Sequence, residues 1–372
     1  MKGRNLKIDW WPADEVPQLQ GVIDEHWRNG HVLARDAELL RWQYRHPTDP
    51  SVLSVLRARD EEGLAGVLGT NLVDFSVQGR RTPGVWLALW FNIKHAAAGT
   101  GLMLLRAAME GDAKVVACLG FNDIAERIYR GLRFTVIEEL PRWICLANAD
   151  AFRALLEMEQ SHAAADLQAT VAALSHDQSR HTTAAARLIA WDEGLADRWN
   201  AKWDHELSKQ CIGTWRNFDY LRWRYAEHPR FQYQLLFAED AGGAISGLVV
   251  FRYERVAASD LQVVRILELL GNEDACALLA AAVREKACAA GAAFADFFCT
   301  RPGIAAPLTE AGFHRERSLP ATIPMLFQPL DHRRTRVRLA YSMLDGALEA
   351  AATAHPETLY VTRSDGDQDR PN

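Results

Sequence analysis

Two glycines, Gly99 and Gly101, separate an apolar run over residues 85–93 from an amphipathic stretch over residues 102–106. The order reads strand, glycine turn, helix. Glycine lets a backbone approach an anion closely, while the start of a helix offers unpaired N–H groups and the positive end of its dipole. The turn is therefore a candidate phosphate cradle. A second apolar strand closes with Cys118-Leu119-Gly120-Phe121-Asn122, after which Ala125, Ile128, Tyr129 and Leu132 recur at helical spacing.

Titratable side chains near strand ends and turns are the next candidates. His31, Asp74 and His95 in the first half, and Glu254, Glu268 and His314 in the second, are placed to accept a proton. The six cysteines show no C-x-x-C spacing and read as buried thiols, so no metal site is expected. With 48 acids against 42 lysines and arginines, the net charge of −6 disfavours nucleic acid as the main partner. The N-terminal residues lack an apolar signal core and the run at 84–93 is too short to cross a bilayer, so the expectation is a cytoplasmic protein without a membrane partner. Arg333, Arg334, Arg336 and Arg338 read as a solvated basic face, with contact to a nucleotide diphosphate as the alternative.

The elements that position these residues are duplicated. Leu40-Arg41-Trp42-Gln43-Tyr44-Arg45-His46-Pro47 returns as Leu221-Arg222-Trp223-Arg224-Tyr225-Ala226-Glu227-His228-Pro229, with one residue inserted before the His-Pro. After each copy the pattern reads strand, turn, strand, and Phe134 in the first half answers Phe313 in the second. Trp42, Tyr44, Trp223 and Tyr225 are expected to be structural because they recur in both halves, and His46 and His228 to be turn residues before proline. The expected division is a first unit over 1–147, a helical connector over 148–180, a second unit over 181–330, and a C-terminal region over 331–372. That last region reads as a helix-like stretch over 341–354 followed by a polar, mobile tail.

Strand, G-x-G helix, strand and N-x-x-A-x-x-I-Y helix, in this order, resemble the GNAT acyltransferase superfamily. The resemblance implies an α/β (α+β) fold: two tandem GNAT-like domains, each a mixed β-sheet flanked by helices. It implies acetyl-CoA or a short acyl-CoA as co-substrate, with Gly99, Thr100, Gly101 and Leu102 around its pyrophosphate. Phe91, Ile93 and Asn122 would lie along its pantetheine arm. Tyr129 would protonate the departing thiolate, and a strand N–H near Asn92 would hold the oxyanion. Ala96 replaces the family's usual Arg or Gln before the first glycine, which leaves Lys94 or His95 to supply the charge. In the second half, Gly271-Asn272-Glu273-Asp274-Ala275 sets two acids where a phosphate would sit, so that unit is expected to keep the fold, lose the cofactor and shape the acceptor site.

Tandem proteins of this kind include N-acyltransferases acting on nucleotide-linked amino sugars, which the tryptophan box, residues 129–134 and the acidic tail resemble most. On that resemblance the small-molecule acceptor would be a nucleotide-linked amino sugar of polysaccharide biosynthesis. Asp74, Glu268, His314, Asp365, Asp367 and Arg370 are its candidate contacts, and a homo-oligomer is compatible with the reading. The alternatives are a Fem-like aminoacyltransferase, a mycothiol-synthase-like acetyltransferase, and a non-catalytic tandem GNAT ligand-binding protein.

Overall fold

The computed structural model describes residues 6–158, 164–175, 187–331 and 336–369. Its strands in the first third of the chain are β1 (Lys7–Pro12), β2 (Val52–Asp60), β3 (Gly63–Val77), β4 (Arg80–Asn92) and β5 (Val115–Leu119). Then come β6 (Thr135–Ile137), β7 (Arg142–Leu146), β8 (Arg187–Ala190), β9 (Ile212–Thr214), β10 (Gln234–Glu239) and β11 (Ile245–Arg255). The last are β12 (Gln262–Gly271), β13 (Phe294–Phe298), β14 (His314–Arg315), the ribbon β15 (Leu326–Phe327) and β16 (Leu330–Asp331), and β17 (Leu339–Met343).

Two mixed sheets result. The first runs β1-β2-β3-β4-β5-β17-β6, with β9 paired to β3; the second runs β14-β7-β13-β12-β11-β10-β8. Each half thus forms the expected sheet, and the two exchange a strand. β7 lies in sequence before the connector, yet it pairs with β13 and β14 of the second sheet. In return β17, from the far end of the chain, sits between β5 and β6 of the first. Residues 138–141 join β6 to β7, and Leu140 N–H donates to the Val337 carbonyl just before β17, so the chain leaves the first sheet beside the point where β17 enters it. The exchange is fixed by a buried ion pair, Arg142 of β7 to Asp296 of β13 at 2.7 Å, and Arg142 also donates to the carbonyls of Ile323 and Pro324.

Alternation along β4 builds the first core. Val85 and Leu87 face the helix Thr100–Glu110 through Leu104, Leu105 and Ala108, whereas Trp86 faces the opposite layer with Phe75 and Leu339. The second sheet packs in the same way on the helix Glu273–Ala289. Inside the connector, the segments Ala149–Glu157 and Ala164–Ser175 are helical, as expected from their apolar spacing.

Two expectations for the C-terminal region are corrected. Tyr341 lies in β17 instead of a helix, because the backbone groups of residues 339–343 complete ladders on both sides; the helix is Gly346–Ala354. The described part of the polar tail is not a free end: Ser364, Asp365 and Asp369 are buried, Asp365 pairs with Arg216 and Asp369 with Arg252, and the Ser364 hydroxyl donates to Glu268; residues 370–372 lie outside the described residues.

The duplicated tryptophan boxes meet each other. Trp42 and Trp223 have ring centroids 5.4 Å apart, and Trp42 Nε1 donates to the Trp223 carbonyl. Arg45 stacks over Trp223 and Arg224 over Trp42, so each half caps the other's indole. Tyr44 and Tyr225 are buried, and His46 and His228 accept backbone N–H bonds in their turns. The repeat is therefore the seam between the halves.

Candidate functional site

In the first sheet β4 and β5 run parallel from Gly84 opposite Val115 to Leu87 opposite Cys118, and there the pairing stops. Beyond Ala88 the register of β4 against β3 shifts, and Leu89 takes a positive φ of 46°. This bulge bends β4 away from β5, and a cleft of about 420 Å³ opens between them. Leu87, Leu89 and Trp90 form one wall and Cys118, Phe121 and Asn122 the other; Tyr129 lies against both, and Trp27, Arg336, Asp367 and Gln368 stand around it.

Tyr129 comes from the helix Asp123–Gly131, which Asn122 caps by accepting from Ala125 N–H at 2.9 Å. Its ring sits among Trp90, Phe121 and Phe134 at centroid separations of 5.9, 5.1 and 5.0 Å. Its hydroxyl lies within hydrogen-bonding reach of the Cys118 thiol. Burial, with Cys118 alongside, raises the Tyr129 pKa well above the ordinary phenol value, so the hydroxyl keeps its proton. Burial likewise pushes the Cys118 thiol up to about 12, although the bond from Tyr129 opposes that rise.

The glycine turn leads into the same place. Gly99 has φ 94° and open space around it, and caps the helix Thr100–Glu110. Thr100 N–H is bonded to the Ala97 carbonyl, which leaves the Gly101 and Leu102 amides of the first turn without an intrahelical acceptor; together with the open space at Gly99 they fit a phosphate-bearing ligand. Gly101 is buried because Trp90 and Asn92 leave no room: an added Cβ would meet Trp90 Nε1 at 3.1 Å and Asn92 Nδ2 at 3.3 Å. Trp90 thus joins the turn to the cleft. Asn92 lies outside the cleft, paired to Gly66 on β3 with its side chain against the helix start. Phe91 packs on Trp27, Ile93 is buried, and Lys94 and His95 are exposed in the turn before Gly99.

The structure brings Tyr129, Asn122 and Asp367 together and disperses the other candidates. Asp74 is bound to Arg81 at 2.7 Å, away from this cleft. His31 caps a short helix by accepting from Leu33 N–H. His314 lies in β14, on the second sheet. Glu254 pairs with Arg252 and Arg265. Arg333, Arg334 and Arg370 lie outside the described residues; Arg338 is committed to Asp123 and Glu126.

Glu268 and Asp365 belong to a buried network. Arg216 donates to Glu268 at 2.7 Å and to Asp365 at 2.8 Å, with all three side chains fully buried. Burial alone would lower the pKa of Arg216, but Asp365 and Glu268 outweigh it and hold the guanidinium firmly charged. Tyr225 and Ser364 donate to Glu268, and Thr214 donates to Asp365.

This network fills the matching cleft of the second half. β12 and β13 pair only from Val264 opposite Ala295 to Ile266 opposite Phe297. Beyond them, Leu269 N–H donates to the Tyr360 hydroxyl, which in turn donates to Glu268, while Thr362 bridges Cys299 just past β13. Residues 360–365 therefore occupy the space between the two strands. At the offset that relates Phe313 to Phe134, Leu308 stands where Tyr129 stands in the first half. Asn272 caps the second helix, with Glu273 and Asp274 in its first turn.

Cys118, Trp90, Trp27 and Gln368 were not among the residues singled out as site residues, and Arg336 was read first as part of a solvated basic face. Cys118 could have been found from its place at the end of the strand facing the tyrosine helix. Gln368 could not, because only tertiary folding brings its Nε2 to the Leu119 carbonyl, at 3.0 Å.

No protein-family model and no curated protein matches this sequence. Solved structures do match its fold. A GCN5-related N-acetyltransferase from Anabaena variabilis superposes with a TM-score of 0.58 at 10% identity, over 92% of this chain and 74% of that one. Another from Kribbella flavida gives 0.54 at 14%, over 93% and 72%. Saccharomyces cerevisiae N-myristoyltransferase with bound myristoyl-CoA and inhibitors gives 0.52 at 11%, over 90% and 79%. The fold is thus two GNAT-like domains in tandem. Among the described residues no helix is long and apolar enough to cross a membrane, and no group of His, Cys, Asp or Glu could hold a metal ion.

Proposed function

We propose that the protein is an N-acyltransferase that moves an acetyl or short hydroxyacyl group from coenzyme A to the amine of a nucleotide-linked amino sugar. The observation that carries the reading is the buried, protonated Tyr129 hydroxyl beside an open strand cleft that Trp90 connects to the glycine turn. The pyrophosphate of the acyl-CoA lies on the first-turn amides after Gly99, and its thioester enters between β4 and β5. The bulged backbone at Leu89 and Trp90 supplies N–H groups to the developing oxyanion. The acceptor's neutral amine attacks the carbonyl carbon, the C–S bond breaks as the tetrahedral intermediate collapses, and Tyr129 gives its proton to the leaving sulfur.

Asp367 and Arg336, at the rim of the cleft, meet the acceptor: the carboxylate takes its amine or hydroxyl hydrogens and the guanidinium takes a phosphate oxygen. The GNAT-like fold of the solved neighbours supports acyl-CoA as donor, and the chemistry of this rim supports the acceptor class. Isothermal titration of acetyl-CoA, followed by acetyl transfer assays with a nucleotide-linked amino sugar and with the nucleotide-free sugar amine, tests the reading. Binding of acetyl-CoA with faster turnover on the nucleotide-linked amine is expected. Absence of binding by acetyl-CoA and by longer acyl-CoAs would overturn it.

A further inference from the structure

A cavity larger than the cleft that holds Tyr129 lies elsewhere in the molecule. It is a pocket of about 730 Å³ at the opposite end of β4, between the C-terminal end of the helix Thr100–Glu110 and residues 215–223 of the second half. Its volume is that of a small-molecule site, and its position at a seam between domains is where such sites concentrate. Nothing in the acyl-transfer reading uses it.

The walls are aromatic and carry donors without acceptors. Trp10, Trp215, Tyr220 and Trp223 line it, with Leu72 and Val85 as its apolar floor. The Arg45 guanidinium stacks on Trp223 at 4.3 Å and makes no hydrogen bond or ion pair to a described residue, while the Arg45 carbonyl accepts from the Ser54 hydroxyl. Burial lowers its pKa against the weaker pull of Glu227, an exposed acid, so its charge is under-compensated. The Trp223 indole N–H is buried without an acceptor. His46 accepts through Nδ1 from Asp49 N–H, which leaves Nε2 to carry the hydrogen of the neutral ring, and that ring stands edge-on to Trp10 at 5.4 Å. On the facing side the charges are largely spent: Asp74 is held by Arg81 and Asp219 by Arg222, while Asp112 stands exposed on the surface.

The buried Trp223 N–H without an acceptor is costly, and the partly exposed Arg45 guanidinium at the same aromatic cavity has no ion-pair partner; together they call for a ligand that brings an acceptor, a negative charge and a flat ring. We infer that this pocket is a second ligand site, for a compact aromatic or heterocyclic anion whose ring packs on the tryptophan wall and whose carboxylate or phosphate pairs with Arg45. The inference is independent of the acyl-transfer reading.

The test is isothermal titration of the full chain with 2-naphthoate, with 2-naphthol as the ring without the charge and acetate as the charge without the ring. Naphthoate is expected to bind at least tenfold tighter than either control. Arg45→Gln should weaken it at least tenfold, while Tyr129→Phe and saturating acetyl-CoA leave it unchanged. Gly111 has an ordinary φ of −74° and open space at its Cβ, so Gly111→Phe fills the pocket without straining the chain and should abolish binding. That variant decides the question if Arg45→Gln fails to fold. No naphthoate binding, binding indifferent to both substitutions, or displacement by acetyl-CoA would overturn the assignment.

Discussion

The two halves hold the same cleft in two states. In the first, β4 and β5 part after Leu87 and Cys118, and the space between them is open, with Tyr129 and Trp90 on its walls. In the second, β12 and β13 part after Ile266 and Phe297, but Tyr360, Thr362 and Asp365 are already there. The strand edge that a ligand would use in one half is satisfied by the chain itself in the other. Three changes accompany the filling: Leu308 for Tyr129, acids in the first helical turn, and Glu268 at the strand edge with Arg216 as its counterion. A duplicated fold has thus left one cleft open and turned the other into an anchor. The anchored tail runs on from Asp365 to Asp367 and Gln368 at the first cleft, so the C-terminal region builds part of that cleft's rim.

Substitutions that act on one cleft and spare the other sharpen this contrast. The largest effect is expected from Asp365→Ala, which leaves Arg216 buried with one acid of its two; loss of a partner from a buried ion pair costs about 3–5 kcal/mol, read as a drop in urea midpoint. Tyr129→Phe comes next: kcat for acetyl transfer should fall about 100-fold, or ~2.7 kcal/mol, with acetyl-CoA affinity unchanged. Leu308→Phe, the matching position in the filled cleft, should leave kcat within twofold.

Met103→Glu is expected to weaken acetyl-CoA about tenfold by placing a carboxylate in the exposed first turn, where it suits the helix dipole and spares the fold. A mild pH effect should come from His228. Burial, with Arg224 beside it, holds its pKa down at about 3, so the folded state refuses a proton that the unfolded chain accepts below about 6.5. Its neutral form favours folding above that value, and stability should decline as pH falls from about 6.5 towards 3; thermal melts across that window check the slope, and His228→Gln should flatten it.

Much of the first cleft was legible in the sequence because its signals are local. The glycine turn, the strand that closes at Asn122 and the helical spacing that carries Tyr129 each lie within a few residues, and each folds as its own chemistry dictates. What escaped is non-local. The exchange of β7 and β17 depends on which ladder a strand completes, and nothing within five residues encodes that choice. The acidic tail reads as a solvated end because its partners, Arg216, Arg224 and Arg252, lie more than a hundred residues away. Asp369 shows how completely context overrides composition. Burial would raise its pKa, yet Arg252 and Arg224 outweigh burial and hold the carboxyl well below its ordinary range. The tryptophan boxes lie between: their recurrence marked them as structural, but not that they would stack on each other.

The stoichiometry of acetyl-CoA binding tests the central claim most directly. Isothermal titration of the intact chain should give one site, weakened by Met103→Glu and indifferent to substitution of Leu308. Two sites per chain, or one site that survives Met103→Glu unchanged, would contradict the division into an open cleft and a filled one.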